Sequence, residues 1–177
     1  VNAADLHELL DGIVPFDERE KSYLNRIRSL EMPDLFSRTC FEPGHITASG
    51  FVLSPDRTSL LLVWHRKLRA WLQPGGHIEP SDVDLIAAQR REIEEETGLT
   101  DLEWLGLFDV DIHQFPARGT DSAHEHFDVR SAFVAGTWKI TAGDGVDESK
   151  WFDLDQLPRS DPSLLRPAAK LRLLGSS

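Results

Sequence analysis

Residues 71–99 constrain the fold more than any other stretch of this chain. They read Trp71-Leu72-Gln73-Pro74-Gly75-Gly76, then a polar segment, then Arg91-Glu92-Ile93-Glu94-Glu95-Glu96-Thr97-Gly98-Leu99. The pattern predicts an apolar-anchored strand, a glycine turn and a helix. On that helix Glu92, Glu95 and Glu96 stand at i, i+3 and i+4, so their carboxylates project from one side. Three carboxylates held there repel one another. A hard divalent cation relieves the repulsion, and Mg²⁺ or Mn²⁺ suits all-oxygen ligands. The plainer alternative is a solvated acidic face, with Arg90–Glu94 and Arg91–Glu95 as ordinary i,i+4 pairs.

Residues 76–99 resemble the Nudix box: a glycine, a spaced glutamate, then Arg-Glu-apolar-any-Glu-Glu-any-Gly-apolar. Every specified position from Arg91 to Leu99 matches. The stretch between Gly76 and Arg91 is one residue longer than the pattern, and no Glu fills the middle position. Asp82 and Asp84 are the nearest stand-ins. The extra residue is expected in the loop 79–83, because an insertion inside the helix would rotate its faces. Asp84 then reads as the helix N-cap, with Leu85, Ile86, Ala88 and Ile93 forming much of the buried stripe. The resemblance implies an α/β/α Nudix sandwich with a mixed sheet over roughly residues 40–175. It implies that Glu95 and Glu96 lead the metal ligands, and that Glu92 is a ligand or the base that orients water. Arg91 would hold one of these glutamates by a salt bridge, and the Gly76 carbonyl would reach a metal. Gly98 would close the helix as a C′ glycine, and Glu94 would point away.

With 177 residues the chain is long enough for one well-cored domain. Its formal net charge of −11 argues against an extended nucleic-acid surface, which needs a basic patch to displace counterions. Small phosphorylated substrates stay open, because a bound cation reverses the local field. Cys40 is the single cysteine, which excludes an internal disulfide and any multi-cysteine metal site. It is expected as a small buried hydrophobe. No apolar run is long enough to cross a bilayer and no signal pattern opens the chain, so a soluble, cytoplasmic protein without a membrane partner is expected. The chain begins at Val1, which leaves room for a few missing native residues.

Periodicity predicts helices over 3–11 and 17–30, punctuated by Pro15 and Pro33, as an N-terminal segment of residues 1–40. This segment would pack on the following domain, 41–177, or on a second subunit, so a homodimer is allowed. Strands are predicted over 45–54 and 59–65, joined by a hairpin turn at Ser54-Pro55-Asp56-Arg57. Further strands are predicted over 102–112 and 124–135, with a polar loop over 116–123. Gly143-Asp144-Gly145 reads as a turn. A short strand at 151–154 and a last helix over 163–173 follow. The five tryptophans, Trp64, Trp71, Trp104, Trp138 and Trp151, are expected to be mostly core.

A second polar cluster is His124-Glu125-His126-Phe127-Asp128. Strand alternation puts His124, His126, Asp128 and Arg130 on one face and Phe127, Val129 and Phe133 on the other, the core side. Three readings of the polar face remain. It binds zinc, for which no fourth ligand is obvious. It is plain sheet surface. Or it lines a substrate cleft with His113, contacting phosphate and supplying a carboxylate, Asp128 by alternation, to a second metal. His45 and His77 are further cleft candidates or structural histidines. The resulting expectation is a Mg²⁺- or Mn²⁺-dependent hydrolase cleaving a diphosphate linkage in a nucleoside diphosphate derivative, such as a nucleotide sugar or ADP-ribose-like compound. Pro116 hints at the latter by its place after the box. Nucleoside triphosphates and dinucleoside polyphosphates remain as alternatives, as does a non-catalytic Nudix-like domain that senses a nucleotide or serves as a scaffold.

Overall fold

The structure is a computed structural model, and it describes residues 3–31, 34–143, 145–158 and 162–174. Pro33 and Asp144, both singled out as punctuation in the sequence, lie outside the described residues. In chain order the elements are α1 (Ala3–Asp11), α2 (Glu18–Arg28), β1 (Gly44–Leu53), β2 (Ser59–His65), β3 (Ala70–Leu72), β4 (Gly75–His77), α3 (Leu85–Thr97), β5 (Leu102–Phe115), β6 (His124–Ala135), β7 (Val146–Asp153) and α4 (Pro162–Leu174). Among the described residues the strands pair in the order β3-β2-β1-β6-β5, with β4 on β1 and β7 on β2. No helix among them is long and apolar enough to cross a membrane.

The chain divides into two compact units, and β1, β5 and β6 each contribute residues to both. The first comprises Val1–Ser49, Gly76–Gln89 and Leu107–Arg130. Its core joins Leu6, Leu10, Leu24 and Ile27 of the two N-terminal helices to Ile46 and Ala48 of β1, Leu85 and Ala88 of α3, Val110 of β5, and Phe127 and Val129 of β6. The amphipathic spacing of α1 and α2 therefore serves burial against this sheet segment. Asp17 caps α2 by accepting the Glu20 N–H at 2.8 Å, and Glu20 accepts the Phe16 N–H at 2.7 Å. That reciprocal cap explains how Glu20 is fully buried without a stranded carboxylate. A bidentate Arg26–Glu125 pair fastens α2 to the start of β6.

The second unit comprises Gly50–Gly75, Arg90–Gly106 and Ser131–Ser177. Here β2 runs antiparallel to both β3 and β7, and its run Leu60-Leu61-Leu62 is wholly buried, as a central strand with two covered faces requires. The Ser54–Arg57 turn forms as expected: the Arg57 N–H donates to Ser54 O at 2.8 Å. Trp71 packs edge-on to Trp64 and Phe152 at 5.6 and 4.8 Å between ring centroids. The expectation of a tryptophan core is corrected. No tryptophan is buried, and Trp104 and Trp138 are exposed. Each of Trp104 and Trp151 holds its indole N–H on an oxygen, Ser131 Oγ and Trp138 O respectively, which favours a half-wet position. Cys40 is likewise only half-buried.

A further correction concerns the double glycine. Gly75 and Gly76 do not make a turn; with His77 they form β4, which pairs with β1. The tight bend follows instead over 79–84, where Asp82 Oδ2 accepts the Glu79 N–H at 2.8 Å.

Candidate functional site

The acidic helix lies where local sequence puts it. Asp84 Oδ1 accepts the Ala87 N–H at 2.7 Å, so Asp84 is the N-cap of α3. Leu85, Ala88 and Ile93 are buried, Ile86 is half-buried, and Gln89 joins them in the interior by donating to Val129 O at 2.9 Å. Asp82 and Asp84 thus both have backbone-holding jobs. The C-terminal end is fastened by backbone and side-chain donors of the second unit. The Ser149 hydroxyl and the Gly143 N–H donate to Glu96 O at 2.9 and 3.1 Å, and the Thr141 N–H donates to Thr97 O at 2.9 Å. A Cβ at Gly143 would stand 1.8 Å from Glu95 O, so only glycine fits there. Gly98, at φ +71°, terminates the helix and donates to Glu94 O at 2.8 Å.

On this fixed helix Arg91 Nη1 bridges Glu92 Oε1 at 3.0 Å and Glu95 Oε2 at 3.2 Å. Glu94 is exposed, on another face. Glu96 is 8% exposed and its Oε2 accepts the Gly75 N–H at 3.1 Å. Burial pushes its carboxyl up to about 8, the Gly75 hydrogen bond opposes this, and the neighbouring Glu92 and Glu95 charges add to the rise. A buried carboxyl in this state attracts a proton or a metal ion. The donors are oxygens only, and the Arg91 guanidinium bridges two of the three carboxylates. This fits a hard divalent cation.

The first unit holds a different polar group. Arg130 is fully buried and reaches three aspartates: Nε to Asp128 Oδ2 at 2.7 Å, Nη1 to Asp109 Oδ2 at 3.0 Å and Nη2 to Asp111 Oδ2 at 3.3 Å. The Thr47 and Ser49 hydroxyls donate to Asp128 Oδ1 at 3.1 and 2.8 Å. Burial would raise the Asp128 carboxyl, but the Arg130 guanidinium and these donors prevail and hold it below the ordinary carboxylate range. The same three carboxylates push Arg130 upward against its own burial penalty. His113 lies 3.0 Å from Arg130 Nη2. Alternation therefore sorted the faces of β6 properly: Phe127, Val129 and Phe133 are buried on the core side. The polar face is not a solvated cleft wall at Asp128 and Arg130. Both are buried, and both Asp128 oxygens are occupied by protein donors.

Toward the start of the same strand, His124 and His126 meet His45 of β1 and His77 of β4. Beside them Phe41, Phe115, Pro116 and His124 help line a cleft of about 640 Å³, within the range that holds a nucleotide-sized ligand. The structure thus brings Arg91, Glu92, Glu95 and Glu96 together in the second unit. In the first it gathers His45, His77, His124 and His126 in one group and His113, Asp128 and Arg130 in another. Sequence reasoning missed Asp109, Asp111, Thr47 and Ser49. The alternation Asp109-Val110-Asp111-Ile112-His113 was the available signal for the first two.

A family model of the NUDIX domain matches residues 43–171. Similar solved structures include a NUDIX-family hydrolase from Clostridium perfringens, 24% identical with a TM-score of 0.54, covering 73% of this chain and 97% of that one. The NUDIX domain of Shewanella oneidensis NrtR, solved with ADP ribose, is 22% identical with a TM-score of 0.53, covering 87% and 98%. A MutT NUDIX hydrolase from Burkholderia pseudomallei is 23% identical with a TM-score of 0.51, covering 71% and 95%. No curated protein matches the chain.

Proposed function

The chain belongs to the Nudix family and shares its α/β fold with a mixed sheet and helices, and on that premise we propose a divalent-metal-dependent hydrolase that cleaves the diphosphate linkage of a nucleoside diphosphate derivative. The observation that carries the reading is the buried Glu96 carboxyl beside Glu92 and Glu95, raised to about 8. Glu92, Glu95 and Glu96 would hold Mg²⁺ or Mn²⁺. Such an ion neutralises phosphoryl oxygens and lowers the pKa of bound water. Arg91 bridges Glu92 and Glu95 and so limits their rotamers before anything binds. Glu92 takes the proton from the attacking water. The new bond joins that water oxygen to phosphorus, the bridging P–O bond breaks, and the bridging oxygen leaves with the second phosphate. For ADP-ribose the products are AMP and ribose 5-phosphate. An ADP-ribose-type substrate is the first to test, because a domain of the same fold was solved with ADP ribose.

The test is a panel of nucleotide sugars, ADP-ribose and nucleoside triphosphates with Mg²⁺ or Mn²⁺, with products separated and weighed. Turnover abolished by chelator and by Glu96→Gln supports the reading. Full turnover in metal-free buffer, or none with any substrate that binds, overturns it.

A further inference from the structure

Four histidines of the first unit, His45, His77, His124 and His126, take no proton and hold no ion in the hydrolysis proposed above, and they converge from three strands. The ligand-capable nitrogens of His45, His77 and His126 all lie within 4.8 Å of one another. The rings stand 4.6 to 5.2 Å apart by centroid. His45 is 1% exposed, and its Nε2 is buried without a hydrogen-bond partner among the described residues. A stranded imidazole nitrogen is costly, and few buried polar atoms are left so. Here it is aimed into a nest of other imidazoles. We propose that His45, His77 and His126 form a binding site for a transition-metal ion of the Zn²⁺ class, with His124 closing the fourth position.

The tautomers suit the task. His45 Nδ1 lies 3.0 Å from Cys40 O, and a carbonyl can only accept, so Nδ1 carries the proton and Nε2 presents its lone pair. His124 repeats the device, with Nδ1 at 2.7 Å from Ser122 O. A carbonyl behind each ring is the outer-shell arrangement that fixes and strengthens metal-binding histidines. His124 Nε2 and His126 Nε2 are 3.1 Å apart, close to the roughly 3.3 Å between two nitrogens on a tetrahedral ion with bonds of about 2.0–2.1 Å. The nitrogens of the three-histidine set, within 4.8 Å of one another, must draw closer to match. His45 is buried and His77 and His126 are half-buried, and ligation uses the neutral imidazole. Arg38 is the opposing charge near His45 and His77, while Asp121 and Asp128 favour a cation near His77 and His126. Imidazole nitrogens select Zn²⁺, Co²⁺ or Ni²⁺ over Mg²⁺, so this site and the carboxylate helix would sort different ions.

The experiment is titration of the metal-stripped full chain with Co²⁺, a visible reporter for Zn²⁺, in excess Mg²⁺. One equivalent should give an intense ligand-field spectrum of four-coordinate type, which added Zn²⁺ abolishes. The spectrum should persist in Glu95→Gln/Glu96→Gln. His77→Gln and His126→Gln should weaken binding by about 100-fold or more, at least the cost of losing an outer-shell partner. Circular dichroism establishes that these variants fold, and the wild-type spectrum stands as a test without them. Absence of a four-coordinate spectrum in the wild-type chain overturns the proposal. So does a spectrum lost in the glutamate variant and kept in the histidine variants. Neither result touches the hydrolase reading, which is scored by Mg²⁺-dependent turnover.

Discussion

Replacing Glu96 by glutamine should make the metal-free protein more stable at neutral and alkaline pH, and the size of the gain follows from its surroundings. The Glu96 carboxyl is raised from 4.5 to about 8, by burial first and by Glu92 and Glu95 as well. A group whose folded pKa lies above its unfolded value contributes stability in full below the unfolded pKa and loses it as pH rises through the folded one. The window here runs from 4.5 to about 8. At pH 7 the unfolded chain has released this proton while the folded chain keeps it, which sets on the order of 3 kcal/mol against folding. Glutamine cannot ionise, and its carbonyl still accepts the Gly75 N–H. Urea unfolding in chelator should therefore show wild type losing about 3 kcal/mol between roughly pH 5 and pH 8 relative to Glu96→Gln. Saturating Mg²⁺ should narrow the gap by stabilising the wild-type chain alone. Parallel stability curves for the two proteins across that window, in chelator, would refute the picture of a strained, buried carboxyl.

Other outcomes follow from the same contacts. Arg130→Met should cost about 3–5 kcal/mol in chemical unfolding, because it leaves Asp109, Asp111 and Asp128 buried without their guanidinium. Wild type should also lose stability in acid as pH falls through the depressed Asp128 pKa, since that contribution exists only above the unfolded value of 3.8; an acid titration followed by circular dichroism checks it. Gly143→Ala should cost about 1–3 kcal/mol in thermal or urea unfolding, because its Cβ meets the backbone oxygen of Glu95. In Mg²⁺-dependent turnover Glu95→Gln should lose at least about tenfold while Glu94→Gln stays near wild type. Equal damage from the two would mean that the helix faces are misassigned.

The parts that were legible in the sequence are those set by spacing within one element. The acidic face of α3, its Asp84 cap and its Gly98 terminus follow from i, i+3 and i+4 relations and from capping chemistry, and all are present. The apolar face of β6 follows from alternation. What failed to show depends on partners distant in sequence. Nothing local marks Gly75-Gly76-His77 as a strand; pairing with β1 makes it one. Nothing local distinguishes a polar strand face that meets water from one that meets other polar strands. Asp128 and Arg130 are buried because Thr47, Ser49, Asp109 and Asp111 converge on them from β1 and β5. The tryptophans failed for another reason. Each carries an indole N–H that needs an acceptor, and a half-exposed site supplies one more readily than an apolar core.

The two carboxylate clusters are handled in opposite ways, and the contrast bears on function. In the first unit three aspartates surround a guanidinium that is itself fully buried, two hydroxyls complete Asp128, and Asp128 stays ionised. That cluster brings its own counter-charge, Arg130, with Arg19 also on Asp111. In the second unit Arg91 reaches Glu92 and Glu95, while the carboxyl of Glu96 is held toward its neutral form by a raised pKa. Filling that gap with a second arginine would have been the stable solution. A chain of net charge −11 that closes one acidic cluster around a buried guanidinium and raises the Glu96 carboxyl in the other supports the proposal that the second receives an ion from outside. Stability left unclaimed at Glu96 in the metal-free state is what a bound divalent ion would return, and it ties the affinity of the site to the same burial that raises its pKa.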